Sequence, residues 1–295
     1  MTLRVAYQGT AGAYSEECAL MLFPDAELAG ERTFAAVFDD LQDRRVDAAV
    51  LPVENSTAGA VTDVYDLLLG HEDVRVVGEA ILPVRHCLLG LPGATLEGIR
   101  IARSHPQALA QSEAFLRDHG IEPREAYDTA GATDEVRGAG DRSVAAVASR
   151  RAGERAGLIV LAADIQTVAE NSTRFFVLAR AGDAPQAAIP SAHRSGGPKT
   201  SLVFATDDRP GALVRALQPF ATAGVNLAKI ESRPSRAAPW TYVFYVDIHG
   251  DVATSPAREA IALLRTCCTW VRVLGTYPMA RGEHPGIADP TERPA

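Results

Sequence analysis

The sequence predicts an α/β protein with largely parallel sheets, followed by a smaller ferredoxin-like βαββαβ unit. Through residues 1–181, short apolar runs alternate with helix-period patterns. Beyond a Pro- and Gly-rich stretch at 182–198, the order becomes strand, helix, two strands, helix, strand.

Val5-Ala6-Tyr7 ends the first strand, and Gly9 and Gly12 turn the chain into a helix near Ser15. Phe34, Val37, Phe38 and Leu41 lie at i, i+3, i+4 and i+7, one helix face, with Thr33 as its cap. Residues 48–53 read as a strand, and Val61, Val64, Tyr65 and Leu68 as another helix. Strands are expected at 74–77, 81–89, 99–102 and 144–148, with helices at 106–118 and 150–156 and strands at 158–162 and 175–178. After the linker, strands fall at 200–205, 225–232, 242–248 and 270–276, and helices at 212–223 and 256–266. The tail, 279–295, has the composition of a disordered segment.

With 295 residues there is room for about two domains. The net charge of -8 argues against nucleic acid as a partner, because phosphate binding needs a basic face. Only Lys199 and Lys229 are lysines. Cys18, Cys87, Cys267 and Cys268 form no C-x-x-C pair and are expected to be reduced, in a cytoplasmic protein. The start of the chain has no charged-then-apolar leader, and no apolar run reaches membrane-spanning length. The seven histidines lack metal-ligand spacing, so no metal is expected.

Polar residues cluster where strands end, the usual ligand position in α/β proteins. The segment 170–180, E-N-S-T-R-F-F-V-L-A-R, puts Thr173, Arg174 and Phe175 at a strand entry. An arginine there can clamp a carboxylate through two parallel hydrogen bonds. The plain alternative is a strand-entry turn with Arg174 in solvent. The loop 9–16, G-T-A-G-A-Y-S-E, lets backbone N–H groups approach an anion, or is simply a tight turn. It does not match a nucleotide-binding spacing. Glu54, Asn55, Ser56 and Thr57 either bind a polar ligand or cap the next helix. Ser104 is expected to cap a helix opened by Pro106, where the same N–H groups could hold an anion, with His105 beside it; Thr129 follows a short strand. In the second unit, R-P-G-A-L-V (209–214) and E-S-R-P (231–234) suit an amino acid, through helix N–H groups and Glu231, or are a turn and a strand end.

Taken together, these segments resemble prephenate dehydratase with a C-terminal ACT domain. The resemblance spans residues 3–277. It rests on V-A-Y-Q-G-x-x-G-A-Y-S-E, P-V-E-N-S-x-x-G, S-H-P-Q-A-L-A-Q, D-I-Q-x(5)-S-T-R-F, G-A-L-V and E-S-R-P, in that order. It implies a two-lobed catalytic region at 1–181 like the type II periplasmic binding proteins, with a second lobe near 84–158 and no cofactor. It also implies an ACT domain at 199–278 that binds L-phenylalanine as feedback inhibitor in a homodimer or homotetramer. The implied reaction removes carbon dioxide and water from prephenate, with Thr173 as the essential hydroxyl and Glu54 or a water as the proton source. Arg174 would bind a carboxylate, Phe175 shape the wall, Asn55 and Ser56 orient the ligand, and Ser104 and Thr129 contribute from the opposite lobe. Gly211, Ala212, Leu213, Glu231 and Ser232 would line the phenylalanine site. In the first loop Thr10 replaces the proline of many bacterial members, and Ala13-Tyr14 replaces Thr-Phe. That version resembles arogenate dehydratases, so arogenate is an alternative substrate. A non-catalytic ligand sensor is a third reading.

Overall fold

A computed structural model describes residues 2–194, 196–235 and 241–280. The first lobe holds β1 (Arg4–Gln8), α1 (Tyr14–Leu22), β2 (Glu27–Glu31), α2 (Phe34–Gln42), β3 (Ala48–Asn55), β4 (Gly59–Ala60), α3 (Thr62–Gly70) and β5 (Val74–Pro83). The second lobe follows with β6 (Cys87–Gly90), β7 (Ile101–Ser104), α4 (Pro106–Gln111), α5 (Glu113–Asp118), β8 (Glu122–Glu125), α6 (Gly131–Ala139), β9 (Val144–Ala148), α7 (Arg150–Ala156) and β10 (Ile159–Ala162). The chain then returns to the first lobe as β11 (Ser172–Arg180). The last unit is β12 (Pro198–Ala205), α8 (Ala212–Thr222), β13 (Leu227–Pro234), β14 (Tyr242–His249), α9 (Ser255–Cys267) and β15 (Trp270–Pro278), in the βαββαβ order expected.

The first sheet runs β2-β1-β3-β11-β5, with β4 paired to β3. Strands β1 to β3 are parallel, whereas β11 is antiparallel to both neighbours because it re-enters from the other lobe. The second sheet runs β10-β6-β9-β7-β8, with a parallel centre at β7, β8 and β9. The two crossing segments are bonded to each other: Val84 N donates to Asn171 O at 2.8 Å, and Ile165 N to His86 O at 3.0 Å.

Several expectations need correction. The strand expected at 81–89 is two strands in different lobes, because β5 ends at Pro83 and residues 84–86 make the crossing. The helix expected at 106–118 breaks at buried Ser112, whose N–H bonds to Ala108 O and Leu109 O at 3.1 Å each as α4 closes. Strand β2, E-L-A-G-E, has no β-branched residue to mark it. Of the tail expected to be disordered, Met279 N bonds to Gly197 O at 2.8 Å and Ala280 N to Glu79 Oε1 at 3.0 Å, and residues 281–295 lie outside the described residues.

The four-stranded sheet, β13-β14-β12-β15, carries α8 and α9 on one face. Its other face packs on the first lobe. Val203, Val243, Tyr245, Leu274 and Tyr277 share one core with Phe176, Leu178 and Val76. The close approach requires Gly275: a Cβ there would stand 1.9 Å from Val76 O. A bulge at Leu274, where the β12–β15 register shifts, brings that glycine onto β5. Gly275→Ala should therefore lower stability by about 1–3 kcal/mol, the usual cost of overpacking. Denaturant titration checks this, and an unchanged midpoint would contradict it.

Candidate active site

Strand β11 sorts its side chains by parity, since successive residues point to opposite faces. Phe175 and Val177 join the core beneath α1, and Phe176 and Leu178 the core shared with the four-stranded sheet. Thr173 therefore falls on the side of Phe175, and Arg174 on the side of Phe176. Strand β3 would alternate likewise, but its register with β11 shifts between Arg174 and Phe175, leaving Val53 as an extra residue. Pro52 and Asn55 both consequently face the cleft, three positions apart.

That cleft, about 530 Å³, lies between the lobes. Its wall includes Gly9, Gly12, Tyr14, Asn55, His86, His105, Gln111, Asp128, Thr129, Ser149, Thr173 and Phe175. No lysine or arginine is among its described lining residues. Ser149 Oγ donates across to Gly12 O at 2.9 Å and accepts from Ala152 N at 3.0 Å. Gly12, at φ +94°, has no room for a side chain, because its Cβ would stand 2.9 Å from Ala152 Cα.

The amide of Asn55 organises the floor. Its Oδ1 accepts from two backbone donors, Thr57 N and Ala58 N, at 3.0 Å each, which fixes the amide's orientation. Nδ2 must then donate, to Asn171 Oδ1 at 2.8 Å and Thr173 Oγ1 at 3.0 Å. Thr173 Oγ1 is thereby an acceptor from Asn55, and its own O–H is left to donate into the cleft. The pattern continues outward. Gln111 Nε2 lies 2.9 Å from Thr57 Oγ1, and Gln111 Oε1 lies 2.8 Å from His86 Nε2. His86 therefore carries its proton on Nε2; its Nδ1 lies 3.2 Å from Tyr14 Oη, whose one proton goes to Arg85 O at 2.7 Å. His105 Nδ1 accepts from Gln107 N at 3.2 Å and caps α4.

The structure thus places Asn55, Thr129, Thr173 and Phe175 on the cleft. It does not bring the other expected residues there. Ser104 is fully buried and gives its hydroxyl to Val147 O at 2.6 Å. Ser56 Oγ accepts from Ser172 N at 3.0 Å and ties its loop to β11. Glu54 lies on the opposite face of β3, 2.8 Å from Lys229 Nζ, and is not placed to protonate a ligand in the cleft. Arg174 likewise points away: Nε bonds to Glu79 Oε2 at 2.7 Å and Nη2 to Tyr277 Oη at 3.2 Å, while Nη1 contacts Asp247 Oδ2 at 2.6 Å. In the last unit Gly211, at φ 79°, precedes α8, which begins with Ala212 and Leu213, while Glu231 and Ser232 lie on edge strand β13.

A model of the prephenate dehydratase family matches residues 5–183, and the ACT domain model matches residues 200–262. The chain belongs to the prephenate dehydratase family. It is 41% identical over 291 residues to arogenate dehydratase/prephenate dehydratase 1, chloroplastic, of Arabidopsis thaliana, covering 94% of this chain and 72% of that one. The structure of prephenate dehydratase in complex with L-Phe from Arthrobacter aurescens is similar, with TM-score 0.83 and 29% identity over 95% of this chain and 90% of that one. So is that of GqqA, described as a novel type of quorum quenching acylase, with TM-score 0.84 and 34% identity over 94% of this chain and 98% of that one. Within the family reading, Gln111, His86, Tyr14 and Ser149 are cleft residues that sequence reasoning missed. Gln111 lay inside the quoted S-H-P-Q-A-L-A-Q motif, a helical turn beyond Gln107, which was the available signal.

Burial lowers the His86 pKa below its ordinary 6.5, with the Gln111 bond acting in the opposite direction. The unfolded chain takes up this proton as pH falls through 6.5, before the folded protein does. The stability contributed by His86 is thus present above 6.5 and is lost as pH falls toward the depressed folded value. His249, also lowered by burial, adds the same slope to wild type and variant alike. His86→Gln should flatten the acid side of a denaturation-midpoint profile run from about pH 7.5 to about pH 5. Parallel profiles would contradict this.

Proposed function

We propose that this chain converts prephenate to phenylpyruvate, carbon dioxide and water on the route to L-phenylalanine. The observation that carries the reading is the Asn55 amide, which makes Thr173 Oγ1 an acceptor and turns its O–H toward the cleft. A hydroxyl so held donates a hydrogen bond to the ring hydroxyl as the C–O bond breaks. The ring carboxylate leaves as carbon dioxide, and its bonding electrons complete the aromatic ring. The departing hydroxide takes a proton and becomes water. Threonine is a weak acid, and Glu54 is on the wrong face, so we assign the proton to bulk solvent, relayed to the departing hydroxide by a water bound at Thr173.

The lining suits the decarboxylation. No described lysine or arginine faces the cleft, so the ring carboxylate is not stabilised by a cation before it leaves. The side-chain carboxylate is assigned to neutral donors, among them the Thr129 hydroxyl. Phe175 supplies apolar wall. Ser149 on the cleft and Ser104 behind it both spend their hydroxyls on backbone carbonyls, so neither is presented as an acyl-transfer nucleophile.

We further propose a cytoplasmic homodimer or homotetramer, inhibited by L-phenylalanine at the ACT domain. Exposed Val214, Ile230 and Tyr242 near the unpaired edge of β13 support assembly with a second copy. Gly211, Ala212 and Leu213 of one copy would then complete an amino-acid site with Glu231 and Ser232 of another. The L-Phe complex of the Arthrobacter aurescens relative supports the choice of effector.

Turnover of prephenate and arogenate, assayed side by side, tests the reaction. Thr173→Ala should reduce kcat on prephenate by roughly a hundred- to a thousandfold, the scale of losing one preorganised donor, while Thr173→Ser keeps most of it. Near-normal turnover by Thr173→Ala would refute the assignment. Calorimetry without a phenylalanine signal would refute the regulatory part.

A further inference from the structure

Directly behind Thr173 lies a cluster of six charges from both domains, five of them largely buried and Glu54 partly exposed at its edge. Arg174, Glu54 and Glu79 come from the first lobe, and Lys199, Lys229 and Asp247 from the ACT sheet. The Glu79 side chain is 1% exposed, Asp247 6%, Lys229 10%, Arg174 12% and Lys199 13%. Both lysines of the chain end here, Lys199 on Glu79 at 2.6 Å and Lys229 on Glu54 at 2.8 Å. Three cations meet three anions, so the cluster is neutral.

Around Arg174 the hydrogen bonds close into a ring. Asp247 can only accept, so Ser201 Oγ donates to it at 2.5 Å. Tyr277 Oη must then donate to Ser201 Oγ, at 2.6 Å, and accept from Arg174 Nη2, at 3.2 Å. The ring returns to Arg174 through the Asp247 contact at 2.6 Å. The guanidinium plane also lies 4.9 Å over the Phe176 ring. Burial opposes the charge, but Asp247 and Glu79 more than offset it and keep Arg174 ionised. A planar fork held from three sides by partners on two domains has one orientation left.

We infer that Arg174 is a positioning residue for the proposed reaction: fixed by Glu79, Asp247 and Tyr277, it sets the tilt of β11 and so the direction of the Thr173 hydroxyl on the opposite face. The ACT sheet is therefore part of the support of the active site, although none of its residues faces the cleft described here. The inference rests on the prephenate dehydratase reading.

Steady-state kinetics on prephenate, with Tm measured alongside, test it. Displacing a catalytic group by about an ångström costs up to roughly a hundredfold, so Arg174→Gln should lower kcat about ten- to a hundredfold with KM within about twofold. This variant leaves Asp247 buried without its cation and risks misfolding. The double variant Arg174→Gln/Asp247→Asn removes that charge, and Glu79 keeps Lys199. It should regain Tm and keep the kcat defect. Tyr277→Phe, altered only in the ACT sheet, should show the same selective loss of kcat in milder form. Recovery of kcat together with Tm in the double variant would overturn the positioning role, as would a wild-type kcat in both the double variant and Tyr277→Phe. If the wild-type chain turned over neither prephenate nor arogenate, the functional reading would fall and this inference with it. A normal wild-type rate with unaffected variants removes the inference alone.

Discussion

The pleat of one strand governs this molecule. Because adjacent side chains of β11 leave on opposite faces, Thr173 and Arg174 cannot serve the same ligand in this arrangement. One becomes cleft floor and the other becomes domain interface. The bulge at Val53 in β3 makes the division workable, since it lets Asn55 join Thr173 while Glu54 joins Arg174. Were Val53 kept and the bulge straightened, regular alternation would place Asn55 with Leu51 and Val53 on the buried face. The amide that orients the hydroxyl would then be lost.

The floor of the cleft is held by neutral groups and the interface with the ACT sheet by charged ones. From His86 through Gln111, Thr57 and Asn55 to Thr173, each step is a hydrogen bond between uncharged partners. A proton added to His86 would put a donor at Nδ1 beside the Tyr14 oxygen, but at the cost of burying a charge. The charges of β3, β5 and β11 are instead collected on the far side and neutralised by lysines and an arginine. Bringing such charges out of water is costly unless each finds a partner, so the interface tolerates few changes.

Much of this was legible in the sequence. Periodicity and turn residues gave the alternating α/β order and the βαββαβ unit, because both faces of these elements are written in apolar spacing. The S-T-R-F and V-E-N-S segments marked the strand ends that meet at the floor. What sequence could not supply was direction. Glu54, Ser56, Ser104 and Arg174 are polar residues in the right segments, yet a bulge, a crossing and strand parity turn them elsewhere. His86 was hidden for the complementary reason, as one polar residue in an otherwise unremarked run, and Gln111, though inside the S-H-P-Q-A-L-A-Q motif, meets it only through the lobes' approach.

The connection between the lobes has a mechanical consequence. The second lobe meets the first through two crossing segments clipped together at Val84 and Asn171. The ACT sheet is bonded to the first lobe, at Arg174, at Tyr65 O, and at Leu69 O and His71 O of the α3 turn. Thr173 thus rides on the body that carries the ACT sheet, while Thr129, His105 and Gln111 ride on the other. Closing the cleft over a ligand moves one set of groups, and a shift of the ACT sheet moves the other. The hydroxyl is the point where the two motions meet, coupled by the bond from Gln111 to Thr57.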